Sequence, residues 1–196
     1  MKSIMIKGLN RSLEADVYEA GDRWVLLCHG KVFDKCDWGS LPQALYRHNL
    51  SVLALNFSGY GTSSGIKDPN QYPLDIDAAL DWLNERHPSS VSAVAASMGA
   101  VALIHWAQST TRMMTLDTAV LFAPRAAPHA VIPTQSLHCL FNALEDDADA
   151  HIRRVKEHLP DSQIHIIPGN AHAQNNFNEP QADEVVGLIT SLVLDS

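Results

Sequence analysis

Short apolar runs alternate with amphipathic stretches along the whole chain. Residues 3–8 and 13–18 read as two early strands forming a hairpin. Trp24-Val25-Leu26-Leu27-Cys28 is a continuous apolar run, as expected of a strand buried on both faces. Residues 41–48 read as a helix, and 51–57 as the next buried strand, closed by a glycine-containing loop over 58–65. In 75–85 the apolar residues Ile76, Ala79, Leu80 and Leu83 recur at spacings of three and four, which gives one helical face. Pro88 stops that helix. The pattern then predicts strands over 91–96, 118–123, 137–142 and 164–167. Helices are predicted over 98–108, 150–159 and 181–194.

Strand–helix alternation of this kind predicts a parallel sheet covered on both faces by helices. In such sheets ligands bind beyond the carboxyl ends of the strands, so the residues that follow each strand carry the functional information. Those segments are His29-Gly30-Lys31, Ser58-Gly59-Tyr60-Gly61, Ala95-Ala96-Ser97-Met98-Gly99, Glu145-Asp146-Asp147 and Pro168-Gly169-Asn170-Ala171-His172. A serine, acids and a histidine thus emerge in the order Ser, Asp, His, which is one solution to nucleophilic acyl transfer. A serine at a sharp strand-to-helix turn needs small neighbours, and Ala95, Gly99 and Ala100 supply them. The bland alternative is a serine that caps a helix in a run of small residues. His172 sits in a glycine-containing turn, and an ordinary histidine pKa near 6.5 suits a general base. Asp146, Asp147 and Asp149, with Glu145 before them, form the acidic cluster from which one carboxylate would orient the imidazole.

With these motifs in order, the sequence resembles the α/β-hydrolase family, and in particular its small serine hydrolases without a cap. The resemblance runs from His29-Gly30 to His172. It implies a three-layer α/β/α sandwich around a mostly parallel eight-stranded sheet with an N-terminal antiparallel hairpin, in a single domain over 1–196. It implies Ser97 as nucleophile and His172 as base. The acid falls three residues beyond a small strand-ending residue, here Ala143, which selects Asp146 with Asp147 as runner-up. The oxyanion would be held by the backbone N–H groups of Met98 and Lys31. Two positions depart from the family pattern: Ala95 stands where glycine is usual, and Asn56 replaces the usual acid after its strand. Family caps are inserted where residues 125–136 lie here. Twelve residues are too few for a domain, so an open site acting on small esters is expected.

Composition narrows the partners. Of 196 residues, 14 are Lys or Arg and 22 are Asp or Glu, for a net charge of −8. That excess disfavours nucleic acid, whose binding rests on neutralising phosphates, and a polybasic membrane contact. No apolar run spans a bilayer. Three cysteines (Cys28, Cys36, Cys139) without a paired motif fit a reducing, cytoplasmic setting better than a disulfide framework. Ten histidines are scattered without zinc-site spacing. Gly59, Gly61 and Gly65 miss the dinucleotide spacing by one residue. Cys28 adjoins His29 but lies inside a buried strand, where cysteine behaves as a small apolar group.

The expectation is therefore a cytoplasmic serine esterase, monomeric or homodimeric, needing no metal or organic cofactor. Its substrate would be a small-molecule ester, with thioesters and lactones in the same chemistry. Ala95 and Asn56 keep a second class open, a non-catalytic binding or scaffold protein on the same fold.

Overall fold

A computed structural model describes residues 1–8, 10–109, 114–125 and 131–195. The chain forms strands β1 (Lys2–Gly8), β2 (Arg11–Tyr18), β3 (Arg23–Cys28), β4 (Ser51–Leu55), β5 (Ser90–Ala96), β6 (Leu116–Phe122), β7 (Thr134–Asn142) and β8 (Gln163–Ile167). The helices are α1 (Leu41–Arg47), α2 (Tyr72–Asn84), α3 (Met98–Ser109), α4 (Ala148–His158) and α5 (Ala182–Leu194), and a 3-10 segment covers Ala173–Asn178.

All eight strands join one sheet in the order β1-β2-β4-β3-β5-β6-β7-β8. The β1–β2 and β2–β4 pairings are antiparallel and the rest are parallel. Apolar side chains alternate to the two faces of each strand, so the core is split in two. On one side Leu26, Ala93 and Leu121 meet Ile76 and Leu80 of α2, Leu103 of α3 and Val155 of α4. On the other side Val25, Val94 and Val120 meet Leu41 and Leu45 of α1 and Val185 and Ile189 of α5. The result is the expected three-layer sandwich with its N-terminal hairpin.

Element boundaries shift where polar residues take over a structural task. β4 stops at Leu55 because Asn56 N–H donates to the Glu14 carbonyl (2.8 Å) and Phe57 N–H to the His29 ring (3.2 Å). α2 begins at Tyr72, three residues before its apolar pattern, because Pro73 fits the first helical turn. β7 begins at the polar Thr134, paired with Leu116. The 3-10 segment was not expected at all. Residues 126–130 of the β6–β7 junction, where caps are inserted in the family, lie outside the described residues. Among the described residues no element stands between β6 and β7.

Candidate active site

Ser97 sits between β5 and α3 at φ 48°, a left-handed angle uncommon for a residue with a side chain. The turn is fixed from both sides. Ser97 N–H donates to the Phe122 carbonyl (2.7 Å), and the Ser97 carbonyl accepts from Val101 N–H (3.1 Å). Gly99 lets α3 approach the neighbouring strand: a Cβ there would lie 2.2 Å from the Cys28 carbonyl oxygen. Ala95, the departure from the family pattern, is fully buried in this turn without disturbing the Ser97 conformation.

His172 follows β8 and reaches back across β7 to Ser97. Its Nε2 lies 2.7 Å from Ser97 Oγ, and its Nδ1 lies 2.5 Å from Glu145 Oε1. The carboxylate beside the imidazole is therefore Glu145. Neither Asp146 nor its runner-up Asp147 holds that place; both are exposed. The physical reason is the turn after β7. Leu144 N–H donates to the Gly169 carbonyl (2.9 Å) and Ala148 N–H to the Glu145 carbonyl (3.1 Å). This closes the turn at Glu145, whose side chain is 6% exposed. Asp147, in a left-handed conformation (φ 59°), then turns the chain into α4.

Glu145 has a second partner, and this one is cationic. Arg125, just after β6, donates from Nη2 to the same Oε1 (2.8 Å), and its side chain is 51% exposed. Arg125 Nη2 also lies 3.5 Å from His172 Nδ1. Both nitrogens carry protons, so the two donors converge on one oxygen and do not bond each other. Glu145 Oε2 is buried with no hydrogen-bond partner among the described residues.

Met98 and Lys31 flank Ser97 from the ends of β5 and β3, which are adjacent and in register at Cys28 and Ala95. The Lys31 peptide is held by its carbonyl, which accepts from Tyr60 Oη (2.6 Å). Its neighbour Gly30 donates its N–H to the buried Gln174 Oε1 (2.6 Å), while Gln174 Nε2 donates to the Asp37 carbonyl (3.0 Å). Gln174 thus ties the segment after His172 to the loop after β3. Asn142 and Asn176 exchange side-chain amide bonds (2.7 and 2.9 Å), and Asn176 also holds the carbonyls of Ala171 and Ala173. Neither Gln174 nor the asparagine pair was singled out from the sequence. The only signal for Gln174 and Asn176 there is a polar, proline-free stretch directly after a candidate catalytic histidine; Asn142 stands only as the polar last residue of a buried strand.

His29 is fully buried. Its Nε2 accepts from Phe57 N–H, so the proton sits on Nδ1, 2.8 Å from the Gly30 carbonyl. Burial lowers its pKa to about 4, which keeps the ring neutral and structural. Burial also pushes the Cys28 thiol far up, so it stays protonated beneath the site. The Gly59-Tyr60-Gly61 loop turns at positive φ and serves to place Tyr60. A recess of about 500 Å³, lined by Thr134, Leu137 and Leu159, lies at the opposite end of β7 from Glu145. Among the described residues, no group of three or more His, Cys, Asp or Glu side chains could hold a metal ion. No described helix is long and apolar enough to cross a membrane.

A mixed eight-stranded sheet with a strained serine turn and a histidine bridging that serine to a carboxylate defines the α/β-hydrolase class. The family model for Hydrolase_4, serine aminopeptidase S33, matches residues 20–145, more than half of the chain, and the protein belongs to that family. The match includes Ser97 and Glu145 and ends before His172. Among solved structures, the chain is similar to a CIB-like hydrolase of Thermoplasma acidophilum (TM-score 0.77, 17% identity, covering 100% of this chain and 98% of that one). It is similar to an esterase of Pyrococcus furiosus (TM-score 0.76, 17% identity, 99% and 92%). A lidless serine hydrolase of Xanthomonas campestris matches with TM-score 0.78 at 14% identity (99% and 94%). These likenesses are of fold. An uncharacterized protein of Mycobacterium tuberculosis, in each of two strains, is 30% identical over 83 residues, 41% of this chain. That match spans only 30% of the mycobacterial protein's length.

Proposed function

We propose that this protein is a serine hydrolase that cleaves a small carboxylic ester through an acyl-enzyme. Ser97 Oγ attacks the carbonyl carbon and passes its proton to His172 Nε2. Glu145 orients the imidazole and stabilises the imidazolium that forms. The N–H groups of Met98, at the α3 N-terminus, and Lys31 hold the developing oxyanion; such donors contribute roughly 3 to 4 kcal/mol each. His172 then gives its proton to the leaving alkoxide. Water repeats the sequence on the acyl-enzyme, releasing the acid and free Ser97. The observation that carries this reading is one imidazole in hydrogen-bond contact with both Ser97 and a buried carboxylate.

Preference for esters over amides draws on what the similar structures are called and on the half-buried, accessible position of Ser97. Short acyl chains are favoured because the twelve residues of the connection over 125–136 are too few to form a cap over the serine. The test is hydrolysis of 4-nitrophenyl esters of increasing chain length, together with fluorophosphonate labelling, on wild type and Ser97→Ala. Turnover and labelling that vanish in Ser97→Ala are expected. A folded wild type that neither labels nor hydrolyses points to the scaffold class. Rates that climb steadily beyond an eight-carbon acyl chain would overturn the open-site reading.

A further inference from the structure

Two arginines bind buried carboxylates in this protein, and they use their donors differently. Arg11 engages both terminal nitrogens: Nη1 donates to Asp75 (3.0 Å) and Ser58 (3.2 Å), and Nη2 donates to Gln71 (2.8 Å). Arg125 gives only Nη2, to a single oxygen of Glu145. Its Nη1 and Nε have no recorded partner among the described residues, and half of the side chain faces solvent. A guanidinium is a planar fork suited to bidentate carboxylate recognition, and here one side of that fork is unspent.

Its location gives the free donors a use. One imidazole ring separates Arg125 from the Ser97 hydroxyl. When His172 takes the serine proton, the imidazolium and Arg125 meet on one carboxylate oxygen, while the matching negative charge develops on the oxyanion at Ser97. A substrate carboxylate would meet the guanidinium donors that Arg125 leaves toward solvent. Asp146 and Asp147, the neighbouring acids, are exposed and have no recorded ion pair with Arg125.

We propose that Arg125 is a specificity-determining residue that recognises a free carboxylate on the ester substrate. The substrate class is thereby a half-ester of a short dicarboxylic acid, or an ester whose alcohol part carries the carboxylate. The inference rests on Ser97 and His172 forming the reactive site as read above.

The experiment separates binding from turnover by working in Ser97→Ala. Binding of monomethyl succinate (carboxylate on the acyl side), acetoxyacetate (carboxylate on the alcohol side) and neutral methyl levulinate is measured by NMR titration. The expected result is at least one anionic ester bound about tenfold tighter than methyl levulinate. That preference falls below about twofold in Ser97→Ala/Arg125→Gln and is partly kept with Arg125→Lys, which retains charge but not the fork. Equal binding of all three probes, no detectable binding of the anionic pair, or a preference that survives Arg125→Gln would each overturn the proposal. Hydrolysis of neutral 4-nitrophenyl acetate by wild type reads the serine-hydrolase assignment separately, so the two ideas fail by different results.

Discussion

Asp75 and Glu145 are both buried carboxylates facing an arginine, yet they are built to opposite ends. Asp75 Oδ1 accepts from Arg11 and Ser58 Oγ, and Oδ2 accepts from Ser58 N–H (2.8 Å). Each oxygen is engaged, the side chain is fully buried, and the cluster locks α2 to the loop after β4. Glu145 concentrates both partners on Oε1 and leaves Oε2 unmet. A carboxylate that only holds a fold saturates its lone pairs. Glu145, which the proposed mechanism sets to orient an imidazole, leaves one oxygen unmet, and that orphaned atom is a free-energy cost carried at the site.

The sharpest way to break this comparison is to neutralise each acid in place. Glu145→Gln should lower kcat by about 10³- to 10⁴-fold, through a wrong or loose imidazole tautomer, with little change in melting temperature. Ester hydrolysis and circular dichroism on one preparation check both halves. Asp75→Asn should do the reverse. It loses about 3 kcal/mol of stability in urea unfolding because Arg11 is left unpaired, while kcat of the folded protein stays within a few-fold. If Asp75→Asn instead abolishes turnover at full stability, the two sites are not distinct in kind.

A smaller effect concerns the neutral His29. Its folded pKa of about 4 lies below the ordinary 6.5, so the fold holds the uncharged ring. Stability from this group is fully present above pH 6.5 and is lost as pH falls toward 4. Between pH 7.5 and 5 the loss is about 2 kcal/mol. His138 and His165, paired ring to ring at 3.1 Å and both lowered by burial, add to the loss in the same direction. His29→Gln should start less stable and show a flatter pH dependence; an unchanged slope would remove His29 from the account. The smallest change is expected for Asp146→Asn and Asp147→Asn, each within about twofold of wild-type kcat. A large loss in either would return the acid to the position the family spacing selects.

Much of the site can be read from the sequence because strand ends and glycine spacing mark it. Ser97 lies between a buried strand and a helix start, and His172 follows the last strand, so periodicity alone brings both to the carboxyl end of the parallel strands. The carboxylate that meets His172 lies one residue before the one the spacing selects. Counting from Ala143 assumes a fixed turn, whereas here backbone bonds to Gly169 and Ala148 close it at the longer Glu145 side chain. The 3-10 segment escaped for another reason. Its buried members include Gln174 and Asn176, and polar residues that satisfy one another inside a core leave no hydrophobic period to detect. Arg125 was visible only as a residue in a connecting loop; its meaning depends on which carboxylate it meets.

His172 hangs from β8, a five-residue strand at the sheet edge that is paired only with β7 and exposes Ile166. The proposed chemistry of Ser97, which follows the central strand β5, is therefore on loan from the periphery. Edge elements open at a lower free-energy cost than central ones. Each brief detachment of β8 would remove the base while the rest of the molecule stays folded. Under the proposed mechanism, the fraction of molecules competent at any moment is then set by the local stability of one short strand, well below the cost of global unfolding.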